Sequence, residues 1–118
     1  MKVLFFQKEG ESPPYNFLQK LPLKIRARFY RYLEHLAQDG GKIEGIAFKK
    51  LYGYPMEEIR IKSSSFLHRL ILHIKKDEAI FVLHGFSKKE GEKTPAKELK
   101  IAYKNLKLFL SEVKYGKK

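Results

Sequence analysis

The chain has 118 residues, 43% of them hydrophobic and 14% aromatic, which is enough apolar material for one packed domain over 1–118 and argues against disorder. Having no cysteine, it has no disulfides and no thiolate metal ligands, a composition that suits a reducing cytoplasm. The 25 Lys and Arg against 13 Asp and Glu give a net charge of +12, a self-repulsion that a polyanionic partner would relieve, with nucleic acid first and an acidic protein second.

Val3-Leu4-Phe5-Phe6 opens the chain as a short apolar run between Lys2 and Lys8. A signal peptide needs about 7 or more apolar residues there, so the run reads as a strand. No stretch approaches the roughly 20 apolar residues of a membrane-spanning helix, and no membrane partner is expected. Ser12-Pro13-Pro14 supplies a cap and first-turn prolines for a short helix over 15–21. Over 22–38, Ile25, Phe29, Tyr32, Leu33 and Leu36 mark one buried helical face. Beside it runs a cationic stripe, Lys24, Arg28, Arg31 and His35, either solvated or placed to track a phosphate backbone. Asp39-Gly40-Gly41 ends that helix and opens a Gly-rich loop to Gly45.

The period then changes to two. Glu58, Arg60 and Lys62 alternate with Ile59 and Ile61, as in a half-buried antiparallel strand. A turn at 62–65 leads to a second strand over 66–74, with Leu67, Arg69, Ile71 and His73 on one side and Phe66, His68, Leu70, Leu72 and Ile74 on the other. After a turn at 75–78, residues 79–86 are nearly all apolar, the pattern of a central strand covered on both faces. Thr94-Pro95 reads as an N-cap and first-turn proline for a last helix to about 113, with Leu99, Ala102, Tyr103, Leu106, Phe109, Leu110 and Val113 facing the core and Ile101 and Leu108 off that face. The order predicts an α+β fold, β-α-α-β-β-β-α: a small, mostly antiparallel sheet with two N-terminal helices and a C-terminal helix packed on it.

The absent chemistry narrows the function. No glycine-rich phosphate fingerprint occurs, so no nucleotide cofactor is expected. His68 and His73 point to opposite faces of their strand, which disfavours a shared metal, and His84 reads as a satisfied core residue. What remains is cations at the end of the predicted sheet: Lys49 and Lys50 before the first strand of the meander, Arg60 within it, Arg69 in the next, and Lys88 and Lys89 at the exit of the last. Like charges across a sheet are destabilising, and a phosphate between them would remove the cost. Arg69, between apolar neighbours, needs an anionic partner most.

Phe48-Lys49-Lys50-Leu51, Met56-Glu57-Glu58-Ile59-Arg60-Ile61, Arg69-Leu70-Ile71-Leu72, Leu83-His84-Gly85-Phe86-Ser87-Lys88-Lys89 and Lys93-Thr94-Pro95 together resemble the phage-derived, HigB-like branch of the RelE/ParE toxin superfamily. The resemblance covers nearly the whole chain. It implies the toxin of a type II toxin-antitoxin module, an endoribonuclease that enters the ribosomal A site, cuts translated mRNA and is silenced by a helix-turn-helix antitoxin. It also implies that Arg69 contacts the scissile phosphate, with Arg60 and Lys88 or Lys89 as further basic catalytic residues. Lys49, Lys50, Lys93, Lys24, Arg28 and Arg31 would then bind RNA. Glu58 departs from the lysine usual at its position in RelE proper, and the C-terminal tyrosine of RelE has no clear counterpart. Metal-free cleavage through the ribose 2′-OH needs a base, an acid and a cation on the phosphorane. Arginine keeps its proton whereas lysine can give one up, so Lys88 or Lys89 is the acid or base candidate. The alternatives are a non-catalytic RNA- or ribosome-binding module, a ParE-like gyrase poison, and a degenerate toxin that retains antitoxin binding alone.

Overall fold

The computed structural model describes residues 1–42, 45, 47–89, 91 and 94–115, with side chains to residue 111. Strand β1 (Lys2–Phe5) leads to helix α1 (Pro13–Gln19), where the Ser12 hydroxyl accepts the Tyr15 backbone N–H and the prolines occupy positions that need no donor. Helix α2 (Leu23–Gln38) buries Ile25, Phe29, Leu33 and Leu36, the face its periodicity predicts. It stops where Gly40 turns left-handed (φ 69°) and the Gly41 N–H reaches back to the Leu36 carbonyl at 2.8 Å.

Strands β2 (Phe48–Leu51), β3 (Met56–Ser63), β4 (Phe66–Lys75) and β5 (Ala79–Lys89) follow, then helix α3 (Ala96–Tyr115). The sheet order is β1-β5-β4-β3-β2, with β1 parallel to β5 and every other pairing antiparallel. The expected α+β architecture is present, with one strand more than the sequence predicts. Phe48-Lys49-Lys50-Leu51 is too short for a periodic signal and is a strand because β3 pairs with it. Lys49 and Lys50 therefore lie inside the sheet, on its edge strand.

Alternation divides the sheet into two cores. Ile59, Ile61, Leu70, Leu72, Ile80 and Val82 pack under α1 and α2, while Met56, Ile71, Phe81, Leu83 and Phe86 pack under α3 with Ala102 and Leu106. Gly85 is where α1 comes closest, since a Cβ there would overlap the Phe17 ring. Leu110, expected in the core, is 38% exposed, and it is its neighbour Phe109 that packs against Phe81; the Val113 side chain lies outside the described residues. Ile101 and Leu108 are also exposed. Among the described residues no helix is long and apolar enough to cross a membrane.

The flanking strands are short. β1 reaches only to Val82 and β2 only to Ile59. Past those pairings residues 60–63, 66–69 and 84–89 run on as a three-stranded tongue that no other described strand flanks.

Candidate functional site

The ladder registers fix which tongue side chains meet. Arg60, Arg69 and Phe86 form one row across β3, β4 and β5, and Lys62, Leu67 and Lys88 the next, both on the α3 side. Arg60 and Arg69 are thus directly opposed, an arrangement that needs a counter-charge. Glu58 provides it from within the chain. Its carboxylate is fully buried, with Oε1 3.6 Å from Arg60 Nε, while Oε2 accepts the Thr94 hydroxyl at 2.9 Å. Thr94 Oγ1 in turn accepts Arg69 Nη1 at 3.0 Å, so one hydroxyl donates to the carboxylate and accepts from the guanidinium. From sequence alone Thr94 is the expected cap of α3. It is instead drawn inward, and the Pro95 carbonyl accepts the first helical N–H groups. Arg69 is 1% exposed and its guanidinium lies 5.7 Å over the Phe86 ring. The Thr94 hydroxyl therefore links the Arg69 guanidinium to the Glu58 carboxylate.

Next to this network a cleft of about 330 Å³ opens between α2 and the tongue, lined by Arg28, Tyr32, Ala47, Arg60, Lys62 and Leu67. The Arg60 N–H bonds to the Ala47 carbonyl at 2.8 Å and holds the chain at the mouth of the cleft. The Arg60 side chain, 34% exposed, spans from Glu58 to the cleft. Cations from two elements far apart in sequence, α2 and β3, thus face a single cavity large enough to admit a phosphate group.

The other predicted residues distribute around this centre. Lys88 shares the α3 side of the tongue and is half-buried, whereas Lys89 pairs with Phe66 and points to the opposite side. Lys24 and Arg31 are exposed on α2 and are not among the residues lining the cleft. Lys49 and Lys50 stand across the ladder from Glu58 and Glu57. Burial raises the Glu57 pKa, an effect that the charges of His73 and Lys50 and a backbone hydrogen bond from Ile74 partly offset. Lys93 lies outside the described residues.

The histidines are occupied elsewhere. His84 Nε2 meets Glu98 Oε1 at 2.6 Å, His73 Nδ1 the Pro55 carbonyl at 2.6 Å, and His68 Nδ1 the Ser87 hydroxyl at 2.7 Å. Among the described residues no three His, Asp or Glu side chains are grouped as a metal would require.

Three participants escaped sequence reasoning. Lys62 was legible as the i+2 partner of Arg60 in a strand, yet nothing marked it above its neighbours. In the sequence Glu58 stands out as a departure from the usual lysine and not as a counter-ion, and Thr94 has the signature of a helix cap. Their roles depend on the register and on where α3 begins.

Fold and site together define a small α+β protein with an arginine-rich cleft at the open end of its sheet. The sequence profile of the family described as phage derived protein Gp49-like (DUF891) matches residues 16–107, from α1 into α3 and across the whole cleft. The chain belongs to this phage-derived, toxin-like family. No curated protein matches it.

Proposed function

We propose that this protein is the HigB-like toxin of a type II toxin-antitoxin module, acting in the cytoplasm as a metal-independent, ribosome-dependent mRNA endonuclease that inhibits translation. The observation that carries this reading is the cleft lined by Arg28, Arg60 and Lys62; Lys88 lies in the same ladder row as Lys62, with Leu67 between them. Membership of a toxin-like family and the net charge of +12 support it. A helix-turn-helix antitoxin would silence the module.

In this reading Arg60, with Arg28 and Lys62, seats a phosphodiester of the transcript. The 2′-oxygen of the preceding ribose attacks phosphorus, its proton passes to a base, the P–O5′ bond breaks, and the departing 5′-oxygen takes up a proton. Arg60 offsets the phosphorane charge, and Lys88, on the same side of the tongue, is the proton donor. Arg69, buried and tied to Thr94, is a positioning residue that fixes the Glu58 carboxylate against Arg60. The ribosome supplies the alignment of the mRNA, which suits a site with so few specialised groups.

The test is to incubate the full-length protein with translating ribosomes and map mRNA ends. New ends at the A-site codon are expected, and Arg60→Gln should reduce their formation by about 10²-fold or more. A second reading, a ribosome-binding module that breaks no bond, is favoured by the burial of Arg69, whose guanidinium is engaged by Thr94. Ribosome association without new ends would replace the nuclease reading with that one.

A further inference from the structure

The tip of the tongue carries a feature that the cleft does not use. Ser64, at φ 53°, and Ser65 make a tight turn between β3 and β4, and Phe66 follows it with 45% of its surface exposed. Neither core includes Phe66, and among the described residues no other aromatic ring packs against it. Its ladder partners are Ser63 on one side and Lys89 on the other. Because side chains alternate, Phe66 and Lys89 face the α1/α2 side, while Lys62 and Lys88 face the α3 side immediately behind. Residues 60–69 and 84–89 contain Arg60, Lys62, Arg69, Lys88 and Lys89, and no Asp or Glu at all.

We propose that Phe66 is a stacking platform for an unpaired nucleobase, with the tongue's lysines holding the phosphates to either side of it, so that the tongue binds RNA as a single strand. An exposed aromatic ring among cations is what sequence-tolerant single-strand binding requires, since every base offers a π-face and every linkage a negative charge. A duplex offers the phosphates but keeps its bases stacked on each other, leaving the ring nothing to cover. The choice of RNA rests on the reading given under Proposed function; the choice of a single strand rests on Phe66.

The experiment measures binding of the full-length protein to a short fluorescent single-stranded RNA and to its duplex. Phe66→Ala should weaken single-strand binding by about tenfold or more while leaving duplex binding within about twofold. Phe66→Trp should retain single-strand binding, and its indole emission, unique in a chain without tryptophan, should be quenched as RNA is added. Unchanged single-strand affinity in Phe66→Ala, an equal loss for both probes, an indole signal that stays unquenched in the bound complex of Phe66→Trp, or no binding by the parent protein would each overturn the platform. Tighter binding to single-stranded DNA would overturn the assignment to RNA. Cleavage is read separately on ribosomes: a protein that stacks RNA but makes no cuts keeps the platform and loses the nuclease, and the converse result does the opposite.

Discussion

The strands β3, β4 and β5 are built as two different surfaces joined end to end. At their root Ile71, Leu72, Ile80, Phe81 and Val82 are all at or below 2% exposure, with helices on both faces and β1 and β2 completing the ladders. At their tip the flanking strands have ended, the cations Arg60, Lys62, Lys88 and Lys89 alternate with the still-buried Ile61 and Leu67, and Phe66 is left half in water. The root derives its stability from apolar area removed from water. The tip projects from that root and accumulates charge that no compact core would tolerate, so the proposed site lies where hydrophobic cover stops. Glu58, with Thr94, marks the boundary, because it is fully buried and yet offsets the opposed arginines.

Equal truncations at the two ends should therefore give unequal costs. Leu72→Ala at the root removes a fully buried side chain, and its urea midpoint should fall by the equivalent of about 2–5 kcal/mol. Lys88→Ala at the tip should stay within about 0.5 kcal/mol of the parent while lowering affinity for RNA and flattening its salt dependence. Comparable losses of stability at both sites would erase the distinction between the two ends.

The boundary itself is the next place to press. Glu58→Ala leaves Arg60 and Arg69 facing each other across the ladder without the carboxylate, a loss of about 3 kcal/mol in urea unfolding. That is the lower end for a buried pair, since Arg60 is one-third exposed and partly solvated. If a phosphate can occupy the place of the carboxylate, added phosphate should restore part of the loss in Glu58→Ala and little in the parent protein. A variant as stable as the parent would show that Glu58 is not the counter-charge.

Much of this division can be read from residue order, and the unread part has identifiable physical causes. The 3.6-residue stripe of α2 and the two-residue alternation of β3 and β4 announce themselves because burial on one face imposes a period. The convergence of Arg60 and Arg69 follows from that alternation, and α2 adds Arg28 once packed. Strand β2 has four residues and no periodicity to show; it exists through its partner. The same applies to Thr94, whose local signal is that of a cap, while a tertiary demand from Glu58 and Arg69 decides where its hydroxyl goes. Lys88 and Lys89 face opposite sides once β5 is known to run through both, and the register decides that Lys88 is the one in the row of Lys62.

The smallest expected effect lies just behind the tip, at His68. The residue is 9% exposed, its Nδ1 is bonded to the Ser87 hydroxyl at 2.7 Å, and burial lowers its pKa below the ordinary 6.5 by penalising the charged form. The unfolded chain thus takes up a proton at a pH where the folded ring still refuses it. The associated stability is fully present above 6.5 and is lost as pH falls through the folded value. Glu57 works in the opposite sense: its raised pKa gives stability that is present below 4.5 and lost as pH rises through the folded value. The contribution of His68 is therefore isolated by comparing the parent with His68→Gln, which keeps a hydrogen-bonding group near Ser87 and removes the titration. Urea midpoints of the two proteins should keep a constant separation above 6.5 and move in favour of the variant as the medium is acidified from there. Parallel profiles through that window would mean that water reaches the ring, and that the dry root ends below His68 rather than above it.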